Sequence, residues 1–147
     1  EIVSEWPDVT TIVTPLGGGG LLSGTAIAAQ GRDVYGVEPA PGNDGEQSFH
    51  SGHIVTIDPP KTIADGARTL AIGTRNFAII RSLVQDVVSV DDYVLLDVLK
   101  WSMYRTKLVI EPTAALGLAA LIACKIKPRG PVAVVISGGN LDFSLLS

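Results

Sequence analysis

The sequence predicts an α/β fold built on a parallel sheet, and three observations carry that prediction. Short apolar runs alternate with segments of helical spacing, the runs are apolar on consecutive residues, and glycine-rich turns follow two of them. Strands that are apolar on both faces are those sandwiched between helices, as a parallel sheet requires. TTIVT (10–14) reads as the first buried strand, and LLSGTAIAA opens a helix behind it. DVYGV (33–37) is the second strand, and QSFHSGH a short helical turn or loop. IVTI (54–57) reads as a third, edge-like strand ahead of Pro59 and Pro60. RNFAIIRSLV (75–84) has helical spacing and runs into the strand DVVSV (86–90). A helix follows from Asp91 to Lys107, with Asp91 or Asp92 as its N-cap. EPTAALGLAALIAC carries Pro112 in its first turn and is nearly all small and apolar beyond it, the pattern of a buried helix. PVAVVIS (131–137) closes the series as an apolar strand leading into Gly138, Gly139 and Asn140. No repeat, low-complexity tract or linker interrupts the chain, so residues 1–147 are expected to form one domain.

Composition bounds the function. With 147 residues, 46% of them hydrophobic, the chain is long enough for a real core. A net charge of −4 points away from a nucleic-acid surface. No stretch approaches the roughly 20 apolar residues of a membrane span, and the first residues lack the charged-then-apolar pattern that would suggest a signal peptide. These features together predict a soluble, cytoplasmic protein. The lone Cys124, in the apolar run LAALIACKI, excludes a disulfide within the chain and reads as a buried thiol. His50 and His53 flank a Ser-Gly pair with no Cys or third His to support a metal site, and read as surface residues.

Ligands of parallel sheets bind beyond the carboxyl ends of the strands, where the two glycine-rich turns fall. Gly17, Gly18, Gly19 and Gly20 lie between the first strand and the first long helix. Glycines bring backbone N–H groups close to a ligand, and the helix start adds its own unpaired amides and the positive end of its dipole. One or two glycines suffice for a tight turn, so four in succession point to a phosphate. The loop is not the nucleotide-binding pattern G-x-x-x-x-G-K-S/T, because Gly19 and Gly24 are followed by Thr25 where lysine is required. Nor is it G-x-G-x-x-G: counted from Gly17 the sixth position is Leu22, and from Gly18 it is Ser23. Glu38, at the end of the second strand, comes near the place of a ribose-reading acid, so a nucleotide remains the second reading.

The second turn, ISGGN (136–140), offers the neutral hydroxyl of Ser137 to the same crevice, although turn-favouring residues alone would account for it. A further constellation is VEPAPGND (37–44). Glu38 and Asp44 are hard oxygen ligands around a Pro-Gly turn with the Gly42 carbonyl between them, a set that suits Mg²⁺ or Ca²⁺, though such acidic turns are commonly just solvated.

The ordered set TPLGGGGLLSG, VYGVEP, PPKTIADG, IG…IIRSLV, KLVIEPTAALG and VISGGNLD resembles the serine racemase and serine/threonine dehydratase family of fold-type II pyridoxal-phosphate enzymes, over its carboxyl-terminal half. The resemblance implies a three-layer α/β fold of the tryptophan synthase β-like class, with residues 1–147 the carboxyl-terminal portion of the large cofactor-binding domain. It implies that Gly17 to Gly20 and the Leu21 amide bind the phosphate of pyridoxal 5'-phosphate, and that Ser137 hydrogen-bonds the pyridine nitrogen. Gly66 would lie beside the ring and Glu111 near its nitrogen edge. Glu38, Gly42 and Asp44 would hold the family's divalent cation, in a structural and activating role. A hydroxyl at the pyridine nitrogen leaves the ring neutral and a weaker electron sink than a carboxylate would, a setting that suits loss of a β-hydroxyl.

The implied reaction converts a 3-hydroxy amino acid, such as serine, threonine or 3-hydroxyaspartate, into a 2-oxo acid and ammonia. Racemisation is the alternative on the same scaffold, and a homodimer is implied. The Schiff-base lysine and the loop that cradles the substrate carboxylate are implied to lie in an amino-terminal half, on this or another chain. Lys61, Lys100, Lys107, Lys125 and Lys127 lack the context of that lysine, so no catalytic residue is assigned here. That absence also leaves open a non-catalytic phosphate- or nucleotide-binding module. The trio IADG, EPTA and SGGN fits the dehydratase branch better than cysteine synthase. Lys107 and Asn140 match positions that contact a nucleotide activator in eukaryotic racemases. The helix after the glycine loop is shorter than the family's, since AIAAQ runs straight into GRDVY. No regulatory domain is expected beyond SGGNLD.

Overall fold

The computed structural model describes residues 1–146. After a short helix α1 (Ile2–Glu5), the chain runs β1 (Thr11–Pro15), α2 (Gly20–Ala28), β2 (Asp33–Pro39), α3 (Asp44–Ser51), α4 (Thr74–Leu83), β3 (Asp86–Val90), α5 (Asp92–Thr106), α6 (Pro112–Ile122) and β4 (Val132–Val134). The four strands form one parallel sheet in the order β3-β2-β1-β4. Thr11 pairs with Asp33 on one side and Val132 on the other. Because β2 and β4 flank β1, the chain leaves β1 in one direction and returns on its opposite side. The carboxyl ends of β1 and β4 therefore border the switch point where ligands of such sheets bind.

Alternate strand residues serve two cores. Val13 and Val37 pack with Leu95, Leu99, Ala115 and Leu116 of α5 and α6. Ile12, Val34 and Val87 pack with Leu22 and Ile80 of α2 and α4 on the other face. The sheet is thus a middle layer between two helical layers, as the continuous apolar strands predict. Gly36 explains how α2 comes so close: a Cβ there would sit 2.5 Å from Leu22 Cδ2.

The short connection after α2 has a local cause. Gln30 and Gly31 adopt left-handed conformations (φ 53 and 84) that turn the chain directly into β2. Arg32 then ties the turn to its surroundings, its Nη2 donating to Pro7 O at 2.9 Å and its Nε to Val9 O at 3.3 Å.

Two expectations fail. IVTI (54–57) is not a strand: Val55 N–H donates to Ser48 Oγ (2.8 Å) and Ile57 N–H to Leu70 O (2.9 Å), and no ladder forms. Pro59 and Pro60, with no amide to donate, prevent the run from continuing. Cys124 is exposed, because α6 ends at Ile122 and the chain turns outward with Cys124 at φ 55. His50 and His53 are exposed as expected, with His50 Nε2 2.8 Å from Asp86 Oδ1. Asp91 occupies the N-cap of α5, but its side chain makes no capping bond. Asp92 instead accepts from Thr62 Oγ1 (2.7 Å) and Ile63 N–H (2.9 Å), anchoring the loop that leads to Gly66.

Candidate active site

One cavity of about 290 Å³ lies where the carboxyl ends of β1 and β4 meet the start of α6. It is bordered by Gly17, Gly18, Gly19, Gly20 and Leu21, and by Gly66, Glu111 and Ser137, so the residues that the sequence singles out converge. Pro15, Leu22 and Thr113 complete it.

The glycine loop owes its shape to both its ends. Leu16 N–H donates to Val37 O (2.8 Å), carrying the sheet ladder up to the loop. Ser23 N–H donates to Gly19 O (2.9 Å), the first bond of the α2 ladder. The amides of Gly20, Leu21 and Leu22 therefore precede the helical ladder and have no carbonyl within it. Gly19 is left-handed at φ 92, and a Cβ there would meet Asn76 Cβ at 2.8 Å. A Cβ at Gly17 would lie 3.0 Å from Gly66 O. At Gly18 and Gly20 a Cβ would meet nothing within 4 Å, so open space adjoins the backbone there. Free amides, open space and a helix N-terminus fit a phosphate group.

The opposite wall is set by the turn after β4. Glu111, the residue before Pro112 at the start of α6, donates its N–H to Gly138 O (3.2 Å). Its carboxylate accepts from Asn140 N–H (3.2 Å). A Cβ at Gly138 would fall 2.5 Å from that carboxylate, and one at Gly139 would fall 2.8 Å from Val109 O. Gly139 is therefore demanded by the Val109 backbone, while Gly138 lies against the movable carboxylate end of Glu111, and this turn holds Ser137 at the cavity. Thr113 was not singled out by the sequence. Its Oγ1 accepts from Gly66 N–H (3.0 Å) and fixes the third wall. The available signal was a hydroxyl in the first turn of an otherwise apolar helix.

No lysine lines the cavity among the described residues, and all five are exposed. Lys107 Nζ donates to Tyr104 O (2.7 Å).

Glu38 and Asp44 meet behind the glycine loop, both fully buried. Glu38 accepts from the amides of Gly45 (3.1 Å) and Glu46 (2.8 Å) at the start of α3. Burial dominates its titration and pushes its pKa from 4.5 up to about 9, with the nearby Asp44 charge adding to the rise against those two amides. Burial likewise raises Asp44 from 3.8 to about 6. Gly42 is buried in the turn Ala40–Gly42 that joins the two. Asp44 Oδ2 has no hydrogen-bond partner, while Oδ1 accepts from Thr69 Oγ1 at 3.4 Å. Two buried carboxylates, one with an orphaned oxygen, fit a hard divalent cation, although no cluster of three or more His, Cys, Asp or Glu occurs among the described residues.

A pH dependence follows. Both folded-state pKa values lie above their ordinary ones, so between them the fold holds protons that the unfolded chain releases. The stability these groups contribute is complete below 3.8 and 4.5, and is lost as pH rises through about 6 and about 9. The chelator-treated chain is therefore expected to melt at progressively lower temperature across that range. Mg²⁺ or Ca²⁺ should restore stability at neutral pH by replacing those protons. A melting curve indifferent to both pH and cation would remove the cation reading.

Comparison with known proteins agrees with this geometry. Residues 1–138 match the family described as "Pyridoxal-phosphate dependent enzyme". The chain belongs to that family. It is 48% identical to a serine racemase of Schizosaccharomyces pombe over 97% of its own length and 46% of the relative's. It is 50% identical to an L-threo-3-hydroxyaspartate ammonia-lyase of a Pseudomonas species, again over 97% of this chain and 46% of the relative. The structure of maize serine racemase superposes with a TM-score of 0.91 at 34% identity, covering 99% of this chain and 47% of that one. The fold is thus that of the fold-type II pyridoxal-phosphate enzymes, and the chain spans about half the length of the curated relatives it matches. The resemblance drawn from TPLGGGGLLSG, EPTA and SGGN is correct at the level of family, fold and cofactor class.

Proposed function

We propose that this chain forms the phosphate- and ring-binding half of a pyridoxal-phosphate ammonia-lyase that converts a 3-hydroxy amino acid (serine, threonine or 3-hydroxyaspartate) into a 2-oxo acid and ammonia. The observation that carries the reading is the pairing of a phosphate-type amide loop at the end of β1 with the neutral hydroxyl of Ser137 beyond the adjacent β4, in one cavity. Bound there, pyridoxal phosphate supplies an electron-accepting ring conjugated to the substrate α-carbon. The amides of Gly17 to Leu21 hold the phosphate. Ser137 Oγ would be the neutral hydrogen-bond partner of the pyridine nitrogen, and a ring left uncharged would be the weaker electron sink that suits loss of a β-hydroxyl. Gly66, without a side chain, leaves room for the ring, and Glu111 keeps the Ser137 turn in place through Asn140.

The lysine that bonds the cofactor aldehyde comes, in this reading, from an amino-terminal half on the same or another polypeptide. Glu38, Gly42 and Asp44 would hold Mg²⁺ or Ca²⁺, which would neutralise the two buried carboxylates, with Thr69 Oγ1 donating to Asp44 Oδ1 at 3.4 Å. A cytoplasmic homodimer completes the proposal. The exposed aromatic residues Tyr93, Trp101 and Tyr104 on α5 support a partner subunit.

Racemisation is the second reading, because the Schizosaccharomyces pombe relative is named a serine racemase. Incubating the native protein with L-serine, L-threonine and L-threo-3-hydroxyaspartate, and measuring both 2-oxo acid and the D-isomers, tests the two together. The proposal expects 2-oxo acid and ammonia in equal amounts from at least one of them. D-serine without 2-oxo acid would transfer the assignment to the racemase.

A further inference from the structure

We infer that Asn76, on α4 and outside the cavity, is the positioning residue that aims the amides of the glycine loop at the phosphate. The inference rests on the proposed phosphate site and adds a residue to it.

Gly18 O accepts from Asn76 Nδ2–H at 2.7 Å and from Gly73 N–H at 3.2 Å. A carbonyl can only accept, so the Asn76 amide faces it with its nitrogen and turns Oδ1 to Ser23 Oγ–H, whose one proton is shared between Asn76 Oδ1 and Gly20 O at 3.2 Å each. Asn76 therefore spans the loop and the first turn of α2 and has one orientation that satisfies both. None of Ile72, Gly73 or Asn76 borders the cavity, so Gly18 O is drawn away from it. The Gly18–Gly19 peptide is trans, which places the Gly19 N–H opposite that carbonyl, toward the cavity. Glycines on both sides of this peptide place little steric barrier on its rotation. Left unpinned, it could turn its carbonyl oxygen inward, and an oxygen there repels a phosphate that an N–H would bind. Asn76 Cβ also lies 2.8 Å from where a Gly19 Cβ would be, so the side chain bears directly on the left-handed residue of the loop.

The test compares pyridoxal 5'-phosphate with pyridoxal, which lacks the phosphate, by fluorescence titration of the native protein and of Asn76→Ala. The expected result is a loss of about tenfold in affinity for the phosphorylated form, about 1.4 kcal/mol, with pyridoxal unchanged. Ser23→Ala, which removes the hydroxyl that faces both Asn76 Oδ1 and Gly20 O (3.2 Å each) but leaves the Asn76 bond to Gly18 O, should shift the same ratio by a smaller factor and guards against a folding defect in the first variant. Equal loss for both ligands would mean that Asn76 supports only the fold, and no loss for either would mean that the peptide needs no pin. Both results overturn the inference while leaving the site intact. If the unaltered protein itself binds pyridoxal phosphate no more tightly than pyridoxal, the phosphate site fails, and the inference fails with it.

Discussion

Gly19→Ala is expected to cost about 1–3 kcal/mol of stability through backbone strain alone, and up to about a hundredfold in affinity for pyridoxal phosphate. Gly19 stands at φ 92, where an L side chain is strained. Its new Cβ would also press on Asn76 Cβ at 2.8 Å and Ile72 Cγ1 at 3.0 Å, atoms fixed by α4 and the core rather than free to swing aside. The loop can relieve that pressure only by moving off α4 or rotating its peptides, and either motion breaks the array of amides that faces the phosphate. Gly18→Ala is the control for the fold, because a Cβ there meets nothing within 4 Å and no left-handed conformation is needed. Thermal melting of the two variants, and cofactor titration of Gly19→Ala against the unaltered protein, check the expectation. A Gly19→Ala protein as stable and as tightly binding as the unaltered one would show that the loop is a turn and no more.

Ser137→Asp is expected to keep the cofactor and lose the reaction. The proposed phosphate contacts, Gly17 to Leu21, lie on the β1 side of the cavity, so binding should change little. A carboxylate at the pyridine nitrogen would hold a proton there and draw electron density into the ring, away from the bond to the departing hydroxyl. Ammonia release from the hydroxy amino acid should fall by about a hundredfold, the scale on which removal of one matched electrostatic partner is felt. KM should move far less than kcat, because the change acts on charge that develops during the reaction. A variant with unaltered kcat would mean that Ser137 does not meet the ring nitrogen.

The sheet was legible in the sequence because its strands are apolar on both faces, and that signal survives even in β4, with three paired residues. IVTI misled because an apolar run says nothing about whether its amides can find a ladder. Here Ser48 Oγ and Leu70 O take the amides, and two prolines follow. Cys124 misled for the opposite reason: it continues the apolar pattern of α6 past the point where the helix ends and the chain turns into solvent. The two glycine-rich turns were visible because runs of glycine stand out in any sequence; close packing demands it at Gly17, Gly19 and Gly139, while Gly18 and Gly20 adjoin open space. Thr113 and Asn76 were not visible, since each acts across 47 or 58 residues of chain on one amide or carbonyl. Such a contact leaves no local spacing to read.

The most direct test of the central claim is to reduce the native protein with borohydride in the presence of pyridoxal phosphate, and to locate the pyridoxyl mass by denaturing mass spectrometry and peptide mapping. The adduct is expected on a lysine outside residues 1–147, with the glycine loop holding the phosphate of the same cofactor. An adduct on Lys61, Lys100, Lys107, Lys125 or Lys127, or none on any polypeptide in the sample, would contradict it.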